Sequence, residues 1–231
     1  MGSRRASEEL IRVGRVTVNG RVAQIGDKVD PARDEVAVDG GRVPLDPELR
    51  YYAFNKPAGV VTTARDPERR PDVSAYLPAG PRVFTVGRLD RDTEGLLLLT
   101  NDGELANRLM HPRYGVHKEY LAEVPARPTE RALRRLLRGV QLEDGVAQAV
   151  SARPAGATRG RAAVRIVIAE GRKREVRRML EAVGLPVQRL VRTRVGPVRL
   201  GRLPPGEVRE LSPDEVRSLW RVASGERRRG R

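Results

Sequence analysis

Four consecutive leucines, Leu96 to Leu99, break the alternation that governs most of this chain. A run with no polar position leaves no face for water, so it predicts a strand, Leu96 to Thr100, buried on both sides within a sheet. Elsewhere the pattern alternates or takes helical spacing. Ser3 to Arg12 reads as a short helix, and the alternating apolar positions of Arg15 to Ala23 about Asn19-Gly20 predict a tight hairpin. Glu35 to Gly40 adds a short strand ending in a turn, and Pro44 to Leu49, with two prolines, reads as a linker. The first 46 residues thus form a unit too small for much of a core. Beyond the linker the strands lengthen: Tyr51 to Asn55, Arg82 to Val86, Tyr120 to Val124 and Arg161 to Ala169. Helices are predicted over Glu104 to Met110, stopped before Pro112, and over Thr129 to Arg138, stopped by Gly139. Glu170 to Gly184 reads as a glycine turn running into a helix whose first turns are crowded with basic residues. That conflicts with the helix dipole and marks function. A last helix starts at Ser212, with Pro213 at its first position and Glu215 three residues after the cap. Strands interrupted by helices without strict alternation predict an α+β fold with a mixed, largely antiparallel sheet.

Charge narrows the partners. The 231 residues carry a formal net charge of +15, which makes nucleic acid the leading partner. The excess is uneven: residues 1 to 46 hold eight basic and eight acidic side chains, whereas residues 171 to 231 hold seventeen basic and seven acidic. Attraction to an anion therefore belongs to the second part of the chain, and Arg227 to Arg231 read as a solvated basic tail. Aromatic residues are only 3% of the chain, which argues against a surface stacking many successive bases and leaves room for one stacking ring in a pocket. With no cysteine and two histidines, His111 and His117, neither disulfide nor thiolate chemistry is open and no metal is expected. No apolar run approaches a membrane span and no signal peptide is visible, so a cytoplasmic protein is expected.

The candidate chemistry sits in the turn that feeds the leucine strand. Asp90 lies there between Arg88 and Arg91, and a carboxylate kept ionised by neighbouring guanidinium groups can serve as nucleophile or base. Read in isolation, the turn is also what an ordinary charged loop looks like.

Taken together, the ordered motifs are similar to those of bacterial ribosomal RNA pseudouridine synthases of the RsuA/RluB/RluE/RluF family, nearest its RluB-like members, from about Ser3 to Leu211. They are Asn55-Lys-Pro-Ala-Gly-Val, Gly87-Arg-Leu-Asp-Arg-Asp-Thr-Glu-Gly-Leu, Asn101-Asp-Gly-Glu-Leu-Ala-Asn-Arg-Leu-Met-His-Pro112, Lys118-Glu-Tyr120, Glu170-Gly-Arg-Lys-Arg-Glu-Val-Arg-Arg-Met179 and Arg192-Thr-Arg-Val-Gly-Pro197. The resemblance implies a small RNA-binding module of the S4 type over residues 1–46, apparently lacking its first helix, a pseudouridine synthase domain over 47–224, and a basic tail over 225–231. It implies Asp90 as the catalytic aspartate, Tyr120 as the ring stacking on the target uracil, and Arg177 as the basic partner that keeps Asp90 ionised. Lys118, Arg172, Lys173, Arg174 and Arg178 are expected to hold phosphates, and Arg88 to reach the space left by the flipped base. The implied reaction isomerises a uridine of ribosomal RNA, with the large subunit favoured and the small subunit open. No cofactor is needed, and a monomer is expected. Asp90 as nucleophile on the anomeric carbon or as base toward a neighbouring sugar proton stays undecided, with the second route favoured. Two rival classes remain: a noncatalytic RNA-binding or ribosome-assembly factor explains the charge, and an enzyme acting on a glycoside or nucleotide explains Asp90.

Overall fold

The protein is described from a computed structural model that covers residues 4–30, 33–43, 48–63, 70–158 and 161–225. The linker residues 44–47 and the basic tail 226–231 therefore lie outside the described residues, as does Ser3. Helix α1 (Arg4–Arg12) is followed by strands β1 (Val16–Val18), β2 (Arg21–Val22), β3 (Val36–Val38) and β4 (Gly41–Val43). They form a four-stranded sheet in the order β2-β1-β3-β4. Its first hairpin turns at Asn19 and Gly20, both at positive φ (49° and 79°), the conformation that a two-residue turn matched to strand twist requires.

The larger sheet draws on nine strands. Its first members are β5 (Tyr51–Lys56), β6 (Phe84–Val86) and β7 (Thr93–Thr100), after which come α2 (Gly103–Met110), β8 (Lys118–Val124) and α3 (Glu130–Arg138). A small hairpin, β9 (Val140–Leu142) with β10 (Gly145–Ala147), precedes β11 (Ser151–Thr158), β12 (Arg161–Ile168) and α4 (Glu175–Ala182). The chain closes with β13 (Arg189–Val195), β14 (Val198–Arg199), β15 (Val208–Glu210) and α5 (Pro213–Ala223). The main order is β11-β12-β8-β13-β7-β5-β15, with β6 also on β7 and β14 on β13. Among the described residues the parallel pairing is that of β13 with β7, and the other ladders are antiparallel.

Strand β7 explains its own composition. Strand β5 runs along one edge, while β13 and β6 share the other. Leu97 and Leu99 join the core beneath α3 and α4, and Leu96 and Leu98 join a second core beneath α2 and α5. Each of the four is at most 3% exposed, and burying each contributes on the order of 2 kcal/mol. The strand begins at Thr93, three residues earlier than the leucine run alone predicts. Helix ends follow their caps: Thr129 and Ser212 accept from the backbone of Ala132 and Glu215, and Glu215 completes a capping box. Asp102 caps α2, which therefore starts at Gly103.

The N-terminal module buries little of its own. Val16, Ala23 and Ala37 are its buried apolar side chains among the described residues, and β4 instead leans on α5. A Cβ at Gly41 would lie 3.0 Å from the Arg217 carbonyl, so a side chain there would wedge the contact open. Arg42 crosses the same junction, 5.0 Å above the Trp220 ring and 2.8 Å from Glu104. Strands β4, β9, β10, β11, β13, β14 and β15 lie outside the sequence-based strand assignments.

Candidate active site

Asp90 sits on the short connection between β6 and β7, and that connection is tied down on both sides of it. Thr62 donates its hydroxyl to the Leu89 carbonyl (2.7 Å) and accepts from the Leu89 amide (3.2 Å). The Gly59 amide donates to the Arg91 carbonyl (2.8 Å), and the Thr93 amide to the Asp90 carbonyl (3.0 Å). Lys56, fully buried at the end of β5, donates its Nζ to the carbonyls of Pro57 (2.8 Å), Val60 (2.7 Å) and Arg91 (3.4 Å). Burial pushes its ammonium down to about 8, with Asp92 foremost among the carboxylates opposing the drop. The Asn55-Lys-Pro motif gave no role to Lys56 in sequence. Its place at the end of a largely buried strand is the signal that a buried cation binds nearby carbonyls.

The connection opens onto a cavity of about 460 Å³. Asp90, Arg88, Lys118, Tyr120, Arg172, Lys173 and Arg174 all line it, so most of the site residues expected from the sequence meet in one place. Tyr120 is 8% exposed on β8, and Leu109, Ile168, Val176 and Leu190 add apolar wall. Among the described residues the Asp90 carboxylate accepts no hydrogen bond and forms no ion pair.

One expectation needs correction, and one expected phosphate-binding residue stands apart from the cavity. Arg177 does not pair with Asp90: its guanidinium donates to the Asp92 carbonyl (2.9 Å) and Val187 carbonyl (3.3 Å) and lies 3.2 Å from the Asp92 carboxylate. Asp92 also takes Arg174 (3.0 Å). Burial works to raise the Asp92 carboxyl, but the two guanidinium groups outweigh it and hold the carboxyl below its ordinary range. Burial lowers Arg177 in turn, and Asp90 acts on it only as a weaker neighbouring charge behind Asp92 and Arg174. Arg178 does not reach the cavity either. It forms a two-pronged contact with Asp144 (2.8 and 2.9 Å) beside a second, smaller hollow.

The basic crowding at α4 also resolves differently. The helix starts at Glu175, so Arg172 to Arg174 precede it, and Arg174 stands at its N-cap with φ 50° and no side-chain cap. Glu175 is the acidic residue a first turn favours. Its carboxylate accepts from the Arg172 amide (3.0 Å), and burial raises its pKa. Arg172 is held by Glu170 (2.7 Å) and by the Val146 carbonyl (3.0 Å). Arg88 and Lys173 are exposed at the cavity rim. Lys118 donates to the Glu170 carbonyl (3.2 Å), and burial, reinforced by the charge of Arg192, lowers its pKa. The cavity thus offers one unpaired carboxylate, one aromatic ring and a basic rim. Among the described residues no cluster of three or more His, Cys, Asp or Glu could hold a metal ion, and no helix is long and apolar enough to cross a membrane.

The family model described as RNA pseudouridylate synthase matches residues 50–182, the segment that holds Asp90, Tyr120 and α4. The chain belongs to this family. An S4 domain model matches residues 1–36 of the same RNA pseudouridine synthase. The chain is 48% identical over 228 residues to an uncharacterised RNA pseudouridine synthase of Mycobacterium bovis, covering 96% of this chain and 89% of the relative. It is 42% identical over 227 residues to the ribosomal large subunit pseudouridine synthase B of Bacillus subtilis, covering 96% and 92%. A crystal structure of a pseudouridylate synthase superposes with a TM-score of 0.66 at 29% identity, covering 94% of each chain. The fold and the isomerase class of this synthase rest on these likenesses together with the α+β architecture.

Proposed function

We propose that this synthase converts a uridine of large-subunit ribosomal RNA to pseudouridine in the cavity at Asp90. The observation that carries the reading is that Asp90, on the β6–β7 connection, and Tyr120, on β8, line one cavity beneath a basic rim. Residues 1–46 serve as the RNA-binding module and 47–224 as the catalytic domain. The names of similar proteins in Bacillus subtilis and Vibrio cholerae support large-subunit RNA as the substrate.

The target nucleotide leaves its stack, at a cost of a few kcal/mol, and enters the cavity base first. Stacking on Tyr120 returns about 1 to 3 kcal/mol of that cost. The Asp90 carboxylate then meets the sugar, either taking the proton from C2′ or attacking C1′. In both routes the C1′–N1 bond breaks with its electron pair going to the ring. The ring turns and C5 joins C1′, as Asp90 returns its proton to C2′ in the first route or leaves C1′ with the bonding pair in the second; the C5 proton then leaves and N1 gains a proton. Arg88, Lys173 and Arg174 at the rim, with the less exposed Lys118, hold phosphates without reading sequence. Arg177 acts from behind Asp92, positioning the turn rather than touching Asp90.

Loss of the C5 proton provides the test. Tritium release from ring-tritiated ribosomal RNA is compared for the native protein and Asp90→Asn, with the product mapped by carbodiimide-dependent primer stops. Release should fall by about 10² to 10⁴ or more in the variant, with RNA binding retained. Equal release from both proteins would remove Asp90 from the reaction, and tight RNA binding without release by either would favour a noncatalytic RNA-binding factor.

A further inference from the structure

Strand β13 carries three arginines, and one of them differs from the others. Arg189 is paired with Glu94 (2.7 Å) and Glu123 (3.0 Å), and Arg194 approaches Glu119 (3.8 Å). Arg192 is 3% exposed and lines the Asp90 cavity, yet among the described residues it has no carboxylate partner. Its recorded hydrogen bond runs from Nε to the Leu96 carbonyl (2.7 Å), which leaves both terminal amino groups without a partner among the described residues. Burying a guanidinium without an anion is costly, and a purely structural position in this wall would be served better by leucine or methionine. A second group points the same way: the Thr93 hydroxyl, on a residue 2% exposed, lines the cavity and is buried without a hydrogen-bond partner.

We propose that Arg192 donates to a carbonyl oxygen of the flipped uracil, beside the Thr93 hydroxyl, and stabilises the negative charge the ring carries between cleavage and rejoining. The inference rests on the reading of the Asp90 cavity as the active site. Arg192 stands directly opposite Tyr120 in the β13–β8 ladder, so its side chain emerges on the same face as the stacking ring. A nucleotide that enters base first presents its ring to this depth and its phosphates to the exposed Arg88 and Lys173 at the rim. The Nε bond fixes the plane of the guanidinium and aims the remaining donors. When C1′–N1 breaks, the electron pair that leaves with N1 spreads onto O2 and O4, and a preorganised donor at either oxygen strengthens as that charge grows. Guanidinium has donors only, so it can donate to the O4 carbonyl of uracil and opposes the amino group that cytosine carries there. The Thr93 hydroxyl can accept from N3–H, a donor that neutral cytosine lacks.

The test measures single-turnover tritium release and RNA affinity for Arg192→Met and Arg192→Lys, using large-subunit RNA fragments whose target base is uracil, 2-thiouracil or 4-thiouracil. Arg192→Met should lose about 10² to 10³ in rate, with affinity and its salt dependence unchanged. One of the two thio substitutions, which weaken the acceptor, should slow the native protein and leave Arg192→Met unaffected. If Arg192→Met does not fold, Arg192→Lys decides, because it keeps the charge and loses the planar fork; the same loss of thio sensitivity is expected. Near-native turnover, a loss confined to affinity with a shallower salt dependence, or equal thio sensitivity in native and variant proteins would overturn the assignment. Asp90→Asn, run in parallel, separates the two levels: an active Asp90→Asn would remove the active-site reading itself, whereas an inactive one beside an active Arg192→Met would remove this inference alone.

Discussion

The parallel contact between β7 and β13 that places Arg192 depends on a missing side chain. Gly95 stands opposite Arg192 in that ladder, at φ 102°. A Cβ there would lie 2.4 Å from the Arg192 carbonyl oxygen, 2.8 Å from its amide nitrogen and 2.9 Å from a Val191 methyl. The first two neighbours are backbone, so relief requires the strands to part by about 0.6 Å, from 2.4 Å to the 3.0 Å below which Cβ contacts are essentially never found. Gly95→Ala therefore adds overpacking of roughly 1 to 3 kcal/mol to a left-handed backbone penalty of about 1 to 2 kcal/mol. The expected total is about 3 kcal/mol. For a chain of this size that lowers Tm by roughly 6 to 12 °C. Gly201→Ala supplies the control: its φ is 61° with nothing within 4 Å of the added carbon, so it carries the backbone penalty alone, about 1 kcal/mol. Differential scanning calorimetry and urea unfolding measure both. Because the movement displaces Arg192, turnover of Gly95→Ala at a temperature where it stays folded should also fall, with RNA affinity little changed. A Gly95→Ala protein no less stable than Gly201→Ala would refute the steric reasoning and with it the close β7–β13 approach.

Tyr120→Phe keeps the ring and should retain most turnover in the tritium assay, whereas Tyr120→Ala loses about 1 to 3 kcal/mol of base stacking, a drop of roughly 5- to 150-fold. Equal and severe losses in both would move the role to the hydroxyl. Asp92→Asn removes the anion shared by Arg174 and Arg177. The folded-state Asp92 carboxyl lies below its ordinary range, so its ion pairs stabilise fully above the unfolded pKa of about 3.9 and lose that contribution as pH falls through the depressed folded value. Asp92 is 48% exposed, and solvent screening keeps the effect at about 1 kcal/mol or less. The Tm gap between native and Asp92→Asn proteins should hold steady from pH 5 to 8 and close in stronger acid; a gap unchanged near pH 2 would contradict the ion-pair account.

What sequence could and could not convey divides along how far the deciding partner lies. The leucine run, the Asn19-Gly20 turn and the Thr129 and Ser212 caps are decided within a few residues, and each element stands where its local chemistry puts it. Strand β13 is not local in this sense. Its arginines at 189, 192 and 194 mimic an exposed segment; carboxylates brought from β7 and β8 make Arg189 and Arg194 compatible with the middle of a sheet, while Arg192 turns to the Leu96 carbonyl and the cavity. Asp90 and Tyr120 could be located from their motifs, but the partner of Arg177 could not. Two aspartates two residues apart on one turn differ in sequence by almost nothing, and the turn alone determines that Asp92 faces α4 while Asp90 faces the cavity. That division has a chemical consequence. A carboxylate gripped by two guanidinium groups is a weaker base and a poorer nucleophile, so assigning both arginines to Asp92 leaves the Asp90 oxygens without a guanidinium partner among the described residues, as the proposed role of Asp90 requires. Asp92 and Lys56 fix the turn from its two sides, and the Asp90 carboxylate is oriented through its backbone.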